Sequence, residues 1–344
     1  MRHELPPVDA VLLLSFGGPE GPDDVVPFLQ NVTRGRNIPR ERLEEVGKHY
    51  FQFGGVSPIN AQCRELVSAL RVELARHGPD LAVYWGNRNW HPLLGDTLAQ
   101  MADNGVRRAV AVATSAYSSY SACRRYLDDI DHARAAVGER APIIEKLPPF
   151  YNHPGFIETM AAHTRDAFAR IRVAPTQTRL VFTAHSIPTA MAATCDYEAE
   201  LREASALVAE RAAPPRCAWD LVFQSRSGPP TQPWLEPDVC DHLRALRDAG
   251  VAGVVVVPIG FVADHMEVKY DLDTQAREMA NKIGLEMERA VAVGAAPPFV
   301  AGLRELLACH IEVRRPPTLG TRGPRPFPCR PGCCAYTPQR PPPR

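Results

Sequence analysis

The sequence predicts an α/β protein built as two similar doubly wound, Rossmann-like domains, each with a four-stranded parallel sheet flanked by helices. Three observations predict this. Short runs rich in apolar and β-branched residues alternate with longer stretches of helical periodicity along the chain. The eight short runs fall four and four about Pro148-Pro149-Phe150. With 344 residues, the chain also exceeds what one compact core usually holds.

The first four strands are expected at Ala10–Phe16, Leu81–Gly86, Ala109–Thr114 and Ile143–Leu147. The second four are expected at Leu180–Ala184, Ala218–Phe223, Gly253–Ile259 and Ala290–Val293. The segments between them are helical. In Phe156, Ile157, Met160, Ala161, Thr164, Ala167, Phe168 and Ile171, apolar groups recur at the three-and-four spacing of one buried face. Strand–helix alternation means right-handed crossovers and parallel sheets. The expected division is 1–150 for the first domain, 151–315 for the second, and 316–344 for a tail rich in Pro, Gly, Arg and Cys. The two halves match in architecture and show no residue-level repeat.

Composition excludes several classes. Lys+Arg and Asp+Glu are equal at 39 each, so bulk charge gives no attraction to nucleic acid or acidic lipid. No apolar run approaches the ~20 residues of a spanning helix. Met1-Arg2-His3-Glu4 leads into a strand without a signal-peptide pattern, so a cytoplasmic protein is expected. Nine cysteines, an odd number, argue against a disulfide framework.

Two strand ends carry chemistry. In Leu180-Val181-Phe182-Thr183-Ala184-His185-Ser186-Ile187-Pro188, an apolar strand ends on an imidazole and is then stopped by proline. Ligands of open parallel sheets gather at carboxyl strand ends, so His185 is aimed at a site. A core histidine bonded to backbone is the plainer alternative. No Gly-x-Ser-x-Gly elbow follows any strand, which disfavours a Ser–His hydrolase. After the valines of the seventh strand come Asp264-His265-Met266-Glu267 and then Asp271. Asp264 and Glu267 have the spacing of a capping box. Glu267 and Asp271, four apart, share a helix face and attract a cation or proton. An imidazole facing a carboxylate cluster suggests proton and metal chemistry.

Other segments border these. Ser15-Phe16-Gly17-Gly18-Pro19 is a strand-to-helix turn without the Lys of a phosphate loop. Arg34-Gly35-Arg36 is either solvated or a carboxylate clamp. Tyr50–Pro58 reads as buried packing or as the apolar lip of a cleft for a flat ligand. Gln224–Pro237 is a proline-shaped loop on the same edge as His185.

At these residues the chain resembles the ferrochelatases, enzymes that insert ferrous iron into a porphyrin, and within them the actinobacterial branch that works on coproporphyrin III. The resemblance spans the chain to about Val313. It is carried by Thr183–Pro188, Gln224–Asp238 and Pro258–Asp273, with Leu12–Pro19, Arg34–Arg36 and Gly54–Asn60 adding agreement. It implies a chelatase-like fold, a monomer, coproporphyrin III and Fe2+ as substrates, and a transient contact with a haem-pathway decarboxylase. It implies that His185 and Glu267, on opposite sides of the ring, mediate metal ligation and pyrrole deprotonation, with Asp271 extending an acidic path. Phe16 would lie beneath the ring, where another branch carries tyrosine. Arg34, Arg36, Ser57, Tyr126 and Ser225 would serve the propionates. Protoporphyrin IX as substrate, a cobalt or nickel chelatase, a non-catalytic tetrapyrrole carrier, and a two-domain sugar-binding protein are the alternatives.

The tail run Cys329-Arg330-Pro331-Gly332-Cys333-Cys334 crowds potential metal ligands. The resemblance implies a [2Fe-2S] cluster held by Cys123, Cys329, Cys333 and Cys334. Relatives place one ligand near the position of Gly320, so Cys333 would substitute. A zinc site or a tail with spare thiols are the other readings.

Overall fold

Ala10–Ser15 and Gly253–Val257 are buried at every position, the mark of parallel strands covered by helices on both faces. In this computed structural model, which describes residues 5–35, 38–228 and 231–337, each is an inner strand of its own sheet. The strands are β1 (Ala10–Ser15), β2 (Ala82–Asn87), β3 (Arg108–Ala113), β4 (Ile143–Lys146), β5 (Thr178–His185), β6 (Trp219–Gln224), β7 (Gly253–Val257) and β8 (Glu286–Arg289). They form two four-stranded sheets, ordered β2-β1-β3-β4 and β6-β5-β7-β8, and every pairing is parallel.

Both sheets wind the same way. The chain steps from the first strand to one side, then crosses back to the other. The order therefore reverses between β1 and β3 and again between β5 and β7, and such switch points open a crevice at the carboxyl ends. His185 closes β5, and the segment bearing Glu267 follows β7. Topology alone brings the two to one crevice.

The sheets share an interior. One continuous buried cluster contains Val11 and Leu13 from β1, Phe182 from β5, and Val255 and Val257 from β7. Leu66 and Leu70 of the helix Ile59–His77, Phe156 of Pro154–Phe168, and Leu303 of Pro297–Ile311 join it. Of the apolar face expected from Phe156 onward, Phe156, Ile157, Met160, Ala161, Thr164 and Ala167 are buried on Pro154–Phe168, whereas Phe168 is half-buried and Ile171 lies beyond the helix.

The eighth strand differs from the sequence expectation. It is Glu286–Arg289, ahead of the apolar run Ala290–Val293. As an edge strand it alternates, burying Met287 and Arg289 and leaving Glu286 and Glu288 part-exposed, a polar pattern that hides an edge strand from a search for apolar runs.

The tail also finds its order differently. Arg325 is ion-paired with Glu200, which is 0 % exposed, and with Asp196, and it donates to Ser118 Oγ. Leu319 N–H donates to the Asn152 carbonyl, and the Asn152 amide donates to the Gly323 carbonyl. Phe327 sits edge-on to His310. These contacts hold the tail through charge and backbone, independently of its cysteines.

Candidate active site

The His185 ring is fixed by its neighbours. Its Nδ1 lies 2.5 Å from the Ser186 carbonyl oxygen. A carbonyl only accepts, so Nδ1 carries the hydrogen and Nε2 faces outward. Beyond β7, Gly260 N–H donates to the Thr183 carbonyl, and a Cβ at Gly260 would sit 2.6 Å from the Ala184 side chain. Only glycine lets this turn press against β5. The chain then enters the helix Met266–Tyr270, whose N-cap is His265, its ring nitrogen accepting the Glu267 N–H at 3.1 Å. The capping-box reading is thereby corrected: Asp264 is bound by Arg289 instead, and the Glu267 carboxylate is left free to face the crevice. Gln224 donates from Nε2 to the Glu267 carbonyl.

His185 Nε2 lies 3.5 Å from Glu267 Oε1, with side chains 32 % and 44 % exposed. This corrects the expectation that the two flank a ring from opposite sides. A gap of 3.5 Å is one van der Waals contact and admits no macrocycle. Because β5 and β7 are hydrogen-bonded neighbours, both groups emerge on one side and act as a pair. His265 Nε2 approaches Oε2 of the same carboxylate at 3.8 Å.

The charges separate three behaviours. Burial alone would lower the His185 imidazole, but the Glu267 charge and hydrogen bond, with the Ser186 carbonyl, raise it to about 9. Burial would raise Glu267, yet His185 pulls it down to about 2. The resting pair is imidazolium and carboxylate. Asp271, at the start of the π-helical turn Asp271–Ala276, is pushed up to about 7 by burial, aided by the Glu267 charge and opposed by the Ser225 hydrogen bond. Ser225, at φ 63, donates its hydroxyl to Asp271 Oδ2.

Opposing this edge is an aromatic group. Phe28 packs edge-on against Phe16, Tyr50 and Trp90, and Phe16 is 37 % exposed at the end of β1. Arg88 lies over the rings of both Phe16 and Tyr126, at 5.9 and 4.8 Å, and is ion-paired with Asp129. Tyr126 itself is buried. Ser57 is buried against Gly18 and donates its N–H to the Pro19 carbonyl. Arg34 is exposed and bonded to Asn31 Oδ1. Arg36 lies outside the described residues. Two contacts join the two walls: His49 stacks on Tyr270 at 3.8 Å, and Gln62 accepts the Asp264 N–H.

Sequence reasoning overlooked Arg88 and the capping role of His265. Arg88 carried a readable signal, a cation just past a strand end. His265 carried only proximity to Glu267.

All nine cysteines are free thiols, three of them in the tail. Cys123, in the π-helical turn Tyr120–Arg124, has its pKa lowered by the neighbouring thiols of Cys329 and Cys334 against the effect of burial. Cys333 Sγ lies 3.6 Å from Cys334 Sγ. Four thiols are a donor set that suits an iron–sulfur cluster chemically. Among the described residues, however, no three His, Cys, Asp or Glu side chains are arranged as a metal site. Gly320, the position where the resemblance implies a further ligand, is held in a conformation and space that favour glycine. It has φ 75, a Cβ there would fall 2.6 Å from Glu203 Oε1, and the same carboxylate accepts the Thr321 and Arg322 N–H groups.

Two doubly wound sheets, the second carrying an imidazole–carboxylate pair at its carboxyl edge, define a protein of the chelatase fold. A solved structure of SirB from Bacillus subtilis with Fe3+ shares that fold, with TM-score 0.54, 13 % identity, and 88 % of this chain and 97 % of that one covered. The family model of the ferrochelatases matches residues 8–311. The chain belongs to the ferrochelatase family and is a metal chelatase. It is 51 % identical to "Ferrochelatase" of Rhodopirellula baltica, over 98 % of this chain and 97 % of the relative. It is 49 % identical to "Coproporphyrin III ferrochelatase" of Streptomyces coelicolor, over 97 % and 95 %. Among the described residues, no helix is long and apolar enough to cross a membrane.

Proposed function

We propose that this chain inserts ferrous iron into coproporphyrin III, with the ring lying between the His185–Glu267 edge and the Phe16 wall. The observation that carries the reading is the outward-facing ion pair of His185 and Glu267 at 3.5 Å, partly open to solvent. Relatives named for coproporphyrin III, at 49 and 50 % identity over 97 and 95 % of this chain, support the choice of substrate.

Metallation requires two pyrrole N–H protons to leave while the metal approaches the ring nitrogens. A carboxylate held at about 2 is a poor resting place for a proton. Asp271, at about 7, is matched to accepting and releasing one near neutrality. In this reading His185 passes its Nε2 proton to the adjacent Glu267 carboxylate as it ligates the incoming iron. Glu267 hands on that proton and then the pyrrole protons one at a time, and Asp271 releases each to solvent before taking the next. Arg88, Arg34, Arg36, Ser57, Tyr126 and Ser225 would serve the propionates, with Arg88 also backing Phe16.

The same proposal divides the chain at 1–150, 151–315 and 316–344. It assigns a [2Fe-2S] cluster to Cys123, Cys329, Cys333 and Cys334. The effect of the Cys329 and Cys334 thiols on Cys123, with Cys333 Sγ 3.6 Å from Cys334 Sγ, supports that assignment; a bound cluster would supply a crosslink between tail and body.

The deciding experiment supplies purified protein with ferrous iron and coproporphyrin III without oxygen. Conversion of the free-base absorption bands to those of the iron complex is expected. Tight porphyrin binding with no metal-dependent band change would identify a carrier instead.

A further inference from the structure

Arg289 is the last residue of β8 and is 9 % exposed. A guanidinium has five N–H donors, and here each has an acceptor. Nε donates to Asp273 Oδ1 at 2.5 Å, and Nη2 to Asp273 Oδ2 at 3.0 Å. Nη1 and Nη2 also fork onto Asp264, at 3.2 and 3.0 Å, and Nη1 reaches the Ala290 carbonyl at 3.1 Å. One cation thus grips two carboxylates, one on each side of the acidic segment. Between them lie Glu267 and Asp271.

The gripped segment is of a kind that needs holding. Its helix runs only from Met266 to Tyr270 before passing into the π-helical turn Asp271–Ala276, and π-turns of this sort are rare within helices and concentrate at functional sites. Neither Glu267 nor Asp271 is bonded to Arg289. The other restraints on the segment each act at one residue: the Asp264 N–H donates to Gln62, Gln224 donates to the Glu267 carbonyl, His185 pairs with the Glu267 carboxylate, Ser225 donates to Asp271, Lys269 pairs with Asp273, and His49 stacks on Tyr270. Among the described residues, Arg289 is the one side chain that binds both Asp264 and Asp273. The paired forks also fix direction, because planar bidentate contacts set orientation as well as distance.

We propose that Arg289 is a positioning residue for metal insertion, clamping Asp264 and Asp273 so that Glu267 and Asp271 stay directed at His185 and at one another. The proposal rests on the iron-insertion reading for its catalytic consequence, but its structural content stands apart from that reading.

Arg289→Lys keeps the charge and loses the double fork. Its expected signature is turnover at least about tenfold lower, porphyrin affinity by fluorescence quenching within about twofold of wild type, and faster amide hydrogen exchange confined to the segment 264–276. Wild-type turnover with unchanged exchange would overturn the proposal. So would a loss of turnover matched by an equal loss of porphyrin affinity and by faster exchange throughout the second sheet, since that is merely a weakened fold. If Arg289→Lys does not fold, Asp273→Asn, which opens one fork and leaves Asp264 held, must show the same confined exchange and lowered turnover; normal values for both defeat the clamp. Wild-type protein that inserts no iron defeats the functional reading instead, and the exchange measurement still judges the clamp.

Discussion

The Tyr117 hydroxyl donates to the Ile259 carbonyl at 2.9 Å, joining the loop after β3 to the turn after β7 in the buried seam between the sheets. Both loops leave strands that flank a switch point, so this bond fixes how the two crevices face each other. Tyr117→Phe keeps the packing against Tyr151, Phe156 and Tyr197 and leaves the carbonyl without its donor. A loss of about 1–3 kcal/mol in denaturant unfolding is expected. An unchanged unfolding midpoint would show that the seam does not depend on this bond.

His185→Ala removes the imidazole and leaves the Phe16 wall in place. Iron insertion is expected to fall by ~10²–10⁴-fold while fluorescence quenching still reports porphyrin binding. Near-normal turnover in this variant would remove His185 from the chemistry.

Asp271 sets the acid limb of the pH–rate profile. Its folded value of about 7 lies above the ordinary 3.8, so it is protonated below neutrality and cannot then take up a pyrrole proton. Turnover is expected to rise with pH through about 7, and Asp271→Asn should lower the rate and flatten that limb. A limb of the same midpoint in the variant would assign it to another group.

The stability of the His185–Glu267 pair has its own pH window. His185 holds its proton more tightly when folded, at about 9 against an ordinary 6.5. Its contribution is full below 6.5 and is lost as pH rises through 9. Glu267 is the reverse, about 2 against 4.5, full above 4.5 and lost as pH falls toward 2. The pair therefore stabilises fully only between 4.5 and 6.5. Both side chains are partly open to water, so the effect is of about 1 kcal/mol or less. The Tm difference between wild type and Glu267→Gln should be widest in that window and shrink toward alkaline pH; a flat difference would contradict the pairing.

What was legible in the sequence followed from two physical signals. Continuous burial makes inner parallel strands apolar, so β1, β5 and β7 stood out, and with them the crevice ends bearing His185 and Glu267. Edge strands alternate, so β8 was displaced onto Ala290–Val293. Spacing alone could not tell that His265 caps the helix while Asp264 turns to Arg289, because that partner lies 25 residues away in sequence. Nor could it show that hydrogen-bonded strands place His185 and Glu267 side by side, since the facing of two strand ends is set by sheet order.

The thiol cluster makes a spectroscopic prediction. If Cys123, Cys329, Cys333 and Cys334 hold a [2Fe-2S] cluster, anaerobically purified protein is brown, and the reduced form gives an electron paramagnetic resonance signal that Cys334→Ser abolishes. A colourless protein carrying stoichiometric zinc would replace the cluster with the other metal reading.

The tail, finally, is expected to survive loss of those thiols, because its anchor is electrostatic. The Glu200 side chain is 0 % exposed, and among the described residues its cationic partner is Arg325, with the Ser118 N–H donating to its second oxygen at 2.7 Å. Arg325→Ala strands a buried carboxylate, and breaking a buried pair from one side costs ~3–5 kcal/mol. Burial already raises the Glu200 pKa, so the variant relieves part of this by taking up a proton, and its deficit should shrink at acid pH. Replacing both partners, Glu200→Gln with Arg325→Met, removes the stranded charge and should recover most of the stability. Limited proteolysis reads the tail directly: Arg325→Ala should be clipped after residue 316 faster than Cys334→Ser. The opposite ranking would mean that the cysteines, and not this ion pair, hold the strap against the body.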